Sequence, residues 1–169
     1  MINIEKNIII TLNNLAKKFK LIYYFFRAFT FTGEWWMYIS YAVITVLVNP
    51  EIGKDAIKLG LVAYGLHYPS YYVIKNITKR QRPFEKYKEV KALVNPPDKY
   101  SLPSGHSSGT MISALITTSF FDGLTFLFFW PVIVGLSRVF LGVHFVSDTI
   151  LGLILGFVSF YIANTIIYQ

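Results

Sequence analysis

Residues 137–148 read SRVFLGVHFVSD, and they set an arginine, a histidine and an aspartate inside an otherwise apolar run. Ionisable side chains at membrane depth are costly and mark function. On either side lie apolar segments at 124–143 and 145–167. At about 1.5 Å per residue, such segments approach the roughly 30 Å of a hydrocarbon core. The polar stretch is therefore the joint between two membrane-length helices. Three further runs, at 34–48, 55–75 and 104–121, have the same character, the first being short.

Composition agrees. Apolar residues make up 54% of the 169 and charged residues 15%, where soluble domains carry about a quarter. Residues 2–20 differ from the spans. Ile4, Ile8, Leu12, Leu15 and Phe19 recur at helical spacing, with Lys6, Asn13, Lys17 and Lys20 on the other side. That pattern suits an amphipathic helix in the headgroup plane. Residues 21–31 are aromatic, interrupted by Arg27, and too short to cross alone. The expected fold class is an all-α integral membrane helical bundle. It has about five transmembrane helices plus an N-terminal amphipathic interfacial helix. Residues 1–169 form one domain, with 2–32 as the interfacial segment and 33–169 as the transmembrane bundle. Trp35 and Trp36 fit an interfacial aromatic belt, Pro69 should kink the second span, and Gly60 and Gly65 permit close packing.

There is no cysteine, which excludes disulfide and thiolate chemistry. The net charge of +7 suits anionic headgroups rather than nucleic acid. No cleavable signal peptide is expected, because the N-terminus lacks the basic, apolar and small-residue order of one.

Folding the runs up and down collects the unusual polar residues on one face. Lys75 and Arg82 follow the second span, and Ser104 and His106 open the third. Arg138 closes the fourth, and His144 and Asp148 open the fifth. Lys75 and Arg82 share a face if helical, and Pro83 places them at a helix end. Ser104 is a natural N-cap, and Gly105 lets a ligand approach a helix N-terminus that already favours anions. Arg138 offers a planar fork of donors for phosphate oxygens. His144 and Asp148, four residues apart, pair an imidazole with a carboxylate that can orient it. His106, His144 and Asp148 are also a conceivable metal-ligand set, but three neighbouring cations would repel a divalent ion. The expectation is a metal-free and cofactor-free phosphoryl-transfer site in which cations neutralise charge.

Lys-x6-Arg-Pro (Lys75, Arg82, Pro83), Pro-Ser-Gly-His (Pro103 to His106) and Ser-Arg-x5-His-x3-Asp (Ser137, Arg138, His144, Asp148) occur in that order. Together they resemble the three-part signature of the type 2 phosphatidic acid phosphatase family, related in its core to vanadium haloperoxidases. The resemblance implies that His144 attacks phosphorus, Asp148 orients it, and His106 protonates the leaving oxygen. It assigns phosphate binding to Lys75, Arg82, Ser104, the Gly105 backbone N–H and Arg138. It implies a lipid partner bearing a phosphate or diphosphate: phosphatidic acid, phosphatidylglycerol phosphate, undecaprenyl diphosphate or lipid A 1-phosphate. Many relatives have six spans where five are counted here. Most lysines and arginines sit in the N-terminal segment and loop 76–103, against Lys54 and Lys58 on the other side. The positive-inside rule alone would place the site in the cytoplasm. The resemblance implies a bacterial inner membrane with the site on the extracytoplasmic face, and that placement is adopted because site cations distort the count. A lipid phosphotransferase, or an anion transporter using the same cations, is the alternative; only the first gives His144–Asp148 a role. Glu34 is a minor specificity candidate, and His67 reads as a structural histidine.

Overall fold

Asn49 and Pro50 start the longest helix. The computed structural model describes residues 2–169. In it the Asn49 side chain accepts a hydrogen bond from Ile52 N at 3.2 Å, and Pro50 occupies the first helical position. This helix, α4, runs Pro50–Thr78 without a break at Pro69 and stops where Lys79 turns left-handed at φ 44°. Hydropathy alone suggested 55–75; the cap and the charged first turns extend it at both ends. Before it come α1 (Ile2–Lys18), α2 (Lys20–Phe31) and α3 (Trp35–Val48); after it come α5 (Pro83–Lys86) and α6 (Gly105–Phe120). A 3-10 turn (Thr125–Phe128) leads into α7 (Phe129–Phe140), and α8 (Val146–Tyr168) closes the chain. The described elements are all helical. By length and composition, α8 is apolar enough to cross a membrane, while α3 and the stretch Thr125–Phe140 are shorter apolar helices.

Helix α6 lies between α8, α7 and α4. Leu59 and Ala63 of α4, Ile112 and Leu115 of α6, and Phe160 and Ala163 of α8 form one buried cluster. Gly152 and Gly156 of α8 sit against the backbone of Ser104 and Ser108, where a side chain would collide. This small-residue seam lets α8 press the start of α6 against its own first turns. The outer faces remain apolar, with Leu47, Leu61, Ile154 and Ile166 exposed.

Two expectations need correction. The first concerns α1. Of its apolar stripe, Ile4, Ile8 and Phe19 are exposed, while Leu12 packs inward against the cluster around Ile9. Asn13, however, does not look toward headgroups. It is fully buried beside Ile9 and Ala16, donates to Lys91 O (3.0 Å) and Phe140 O (3.1 Å), and accepts from Lys91 N (2.9 Å). Ile9 packs with Val90, Val139 and Phe145. One polar side chain thus ties α1 to the long loop and to the end of α7. Replacing Asn13 with leucine keeps the bulk and leaves three backbone groups without the partner they have here. The expected loss is about 2 kcal/mol, read as a lowered thermal midpoint in detergent.

The second correction concerns His144, expected at the start of the fifth span. The chain leaves α7 at Leu141 because Gly142 adopts φ +77°, with the Lys91 carbonyl where a side chain would be. Helix α8 begins only at Val146. His144 therefore lies in a tight connector, not on the helix.

Candidate active site

The three sequence pieces converge at one end of the bundle. Arg82 is the hinge between them. It follows the left-handed turn at Lys79 and is almost fully buried. It meets Lys75 by the chain's turning back, not by sharing a helix face as the spacing suggested. Its Nη1 donates to Val143 O (2.7 Å) and lies 3.2 Å from His144 Nε2. A guanidinium has no acceptor, so His144 Nε2 carries the lone pair and Nδ1 carries the proton. The lone pair thus points among the cations.

His144 Nδ1 stands 3.6 Å from Asp148 Oδ2 and is buried without a hydrogen-bond partner. The pair is close but not closed. Asp148 is fully buried at the third position of α8, and its Oδ2 accepts from Phe145 N at 2.8 Å. Burial, together with the charges of Arg82, Arg138 and Lys75, pushes the His144 imidazole well below its ordinary value of 6.5. It is neutral near pH 7. The sign of the linked stability effect follows. Below about pH 6.5 the unfolded chain takes up a proton that the folded one refuses, so stability is full above that pH and falls below it. Thermal midpoints scanned downward from neutral pH are expected to fall less steeply for His144→Asn than for the wild type.

Ser104 caps α6. Its hydroxyl accepts from Ser107 N at 3.3 Å, and its own N–H donates to Asp148 O at 2.9 Å, locking the second piece to the third. Gly105 lines the cavity with the Tyr71 ring packed on it. His106 Nε2 is 3.4 Å from Glu34 Oε1 across the mouth between α3 and α6. Arg138 is buried, with Nη1 on Thr30 Oγ1 (2.6 Å) and with Nε and Nη2 lacking partners. His67, expected as a structural histidine, bonds Ser108 Oγ at 2.7 Å and lines the same cavity.

Sequence reading missed three contributors. Asp98, in the proline-rich loop, lies between the expected phosphate cations: its Oδ1 is 2.7 Å from both Lys75 Nζ and Arg82 Nη2, and its Oδ2 accepts from Tyr71. Burial alone would raise this carboxyl, but hydrogen bonds from Lys75 and Tyr71 and the charges of Lys75 and Arg82 hold it below the usual range. Arg80, two residues before the Arg-Pro motif, reaches Asp148 Oδ1 at 2.6 Å. Glu5 joins it from α1 at 2.9 Å. Among the described residues, no three histidine or carboxylate groups cluster as a metal-ligand set.

A cavity of about 1300 Å³ opens from this end. Lys75, Arg82, His106 and His144 line its head, and Val43, Leu47, Ile57 and Leu61 line its tail between α3 and α4. From Glu34 to Leu47 the slot runs about 20 Å, at 1.5 Å per helical residue.

That combination defines the class: an all-helical protein with a buried cluster of cations and histidines at the head of an apolar slot. The chain belongs to the PAP2 superfamily, which residues 57–169 match. It is similar to the decaprenylphosphoryl-5-phosphoribose phosphatase of Mycobacterium tuberculosis, with 30% identity over 119 residues, 68% of this chain and 63% of that protein. The counterpart from Mycolicibacterium smegmatis is 26% identical over 115 residues, with 68% and 62% covered. The matched region is thus less than two thirds of the length of these curated relatives. In fold it resembles Aquifex aeolicus LpxE, with TM-score 0.81, 21% identity, and 94% of this chain and 93% of that one covered. It also resembles the transmembrane PAP2-type phosphatidylglycerolphosphate phosphatase of Bacillus subtilis, with TM-score 0.73, 20% identity, and 97% and 84% covered.

Proposed function

We propose that the protein is a metal-independent membrane lipid phosphatase working through a phosphohistidine. The observation that carries this reading is the neutral, buried His144, its Nε2 lone pair 3.2 Å from Arg82 at the charged head of an apolar slot. The slot is far larger than a phosphate ion and is polar only at one end, which suits a phosphate carried on a long apolar body. In the first step His144 Nε2 bonds to phosphorus and the bond to the lipid oxygen breaks. His106, with Glu34 Oε1 3.4 Å from its Nε2, takes up a proton when the anionic substrate binds and gives it to that oxygen. Lys75, Arg82, Arg138 and the Ser104–Gly105 turn hold the phosphate oxygens, and Asp148 steadies the charge that develops on the ring. Water then attacks phosphorus, His106 takes back a proton, and inorganic phosphate leaves with Nε2 restored.

The candidate substrates are lipid A 1-phosphate, undecaprenyl diphosphate, phosphatidylglycerol phosphate and phosphatidic acid. A polyprenylphosphoryl sugar phosphate joins them, by the activity for which the mycobacterial relatives are named. In this reading α3, α4, α6, α7 and α8 cross a bacterial inner membrane, and α1 lies in the interface with the site on the extracytoplasmic side. Labelling of single cysteines introduced in loop 84–103 of intact cells tests the sidedness. For activity, purified protein is to be given each lipid with phosphate release as readout. One lipid is expected to be turned over well above the rest, with the rate unchanged by chelator. Loss of activity on chelation would reject the metal-free mechanism.

A further inference from the structure

Behind His144 lies a chain of contacts that phosphate binding does not use. Asp148 Oδ2 faces His144 Nδ1 and accepts from Phe145 N, while Oδ1 is held by Arg80 Nη1 at 2.6 Å. The same Nη1 meets Ser147 Oγ at 2.6 Å, and Nη2 meets Glu5 Oε2 at 2.9 Å. The other Glu5 oxygen accepts from Ser147 N (2.9 Å) and Ser147 Oγ (2.6 Å). The Arg80 guanidinium also lies over the Phe145 ring, 4.3 Å from its centre. Ser147 N is one of the free donors of the first turn of α8, so Glu5 of α1 caps α8 from outside. A carboxylate with no exposed surface, held on one oxygen by a two-armed cation whose other arm is tied to a second helix, cannot rotate.

We propose that Arg80 and Glu5 are positioning residues for the phosphoryl transfer: they fix the Asp148 carboxylate so that its free edge meets His144 Nδ1. This rests on the phosphatase reading above. Neither residue touches the reacting atoms; both act through Asp148. The N-terminal helix is thereby part of the catalytic assembly as well as an interfacial element. The 3.6 Å gap between Nδ1 and Oδ2 closes when charge develops on the ring, and only a fixed carboxylate can meet it.

The test uses the full chain in detergent with phosphate release from whichever lipid of the panel above is turned over fastest. Arg80→Met is expected to lower kcat about a hundredfold and Glu5→Gln about tenfold, each with KM within about twofold, since positioning acts on the transition state. His144 is faced by Asp148 from α8, Lys75 from α4, Arg82 from the loop, Arg138 from α7 and His106 from α6. Removing the Arg80 charge leaves Asp148 less compensated and favours imidazolium, so the acid limb of kcat/KM should move to higher pH. Arg80→Lys keeps the charge and should return the limb toward its wild-type position. Nitrogen NMR of histidine-labelled protein reads the same His144 titration without turnover. It therefore tests the clamp even if no lipid is hydrolysed, an outcome that would reject the phosphatase reading instead. Unchanged kcat and titration in Arg80→Met would overturn the proposal. So would a rise in KM alone, which would make Arg80 a headgroup contact, or a fall in kcat that tracks a lowered thermal midpoint with the His144 titration unmoved.

Discussion

His144→Ala is expected to lower phosphate release by about ten-thousandfold, with the protein still folded and purified at wild-type yield. The imidazole is nearly fully buried but bears little of the packing: its Nδ1 has no hydrogen-bond partner, and its Nε2 meets only Arg82. Removing it therefore deletes the proposed nucleophile and spares the core clusters around Leu59 and Ile9. The residual rate comes from the cation pocket, which still binds the phosphate but offers no atom to form the intermediate. Phosphate release assays on the substrate identified by the lipid panel, beside thermal unfolding, check both halves. Activity within about tenfold of wild type would remove His144 from the chemistry.

Arg138→Met is the second large effect, and it should separate function from stability. Arg138 is buried, spends one donor on Thr30 and leaves Nε and Nη2 without partners. A buried cation in that state costs the fold desolvation energy that only a bound anion returns. Methionine keeps the stem volume and removes the charge. Turnover is expected to fall about a thousandfold, the scale of losing a main charge stabiliser of the transition state. The thermal midpoint should stay level or rise, as when a strained functional group is replaced by one the core accepts. Arg138→Lys should not restore the rate, because an ammonium lacks the planar fork. A midpoint that falls together with activity would make Arg138 a structural residue.

Much of this arrangement is legible in the chain, and what is not has a physical reason. Ser104 announces itself, because an N-cap serine after a proline before an apolar run has a local signature, and it caps α6 at the expected position. Convergence of Lys75, Arg82, His106, Arg138 and His144 follows from up-and-down folding alone. Glu5, Asn13, Arg80 and Asp98 are different. Each works across long sequence separations: Glu5 with Ser147, Asn13 with Phe140, Arg80 with Asp148. On an amphipathic helix a polar residue reads as solvent-facing, which is why Asn13 was assigned to the wrong side. A carboxylate in a proline-rich loop has no periodicity at all, so Asp98 gives no sign that it sits between Lys75 and Arg82. The connector at His144 turns on one left-handed glycine, and hydropathy passes over it.

A structure of the protein with orthovanadate bound tests the central claim most directly. Vanadate copies the five-coordinate phosphorus of the transfer. The expected result is vanadium bonded to His144 Nε2, with Lys75 and Arg82 exchanged from Asp98 onto its oxygens and the free donors of Arg138 engaged. Vanadate held elsewhere, or held among the cations with no bond to His144, would contradict the account.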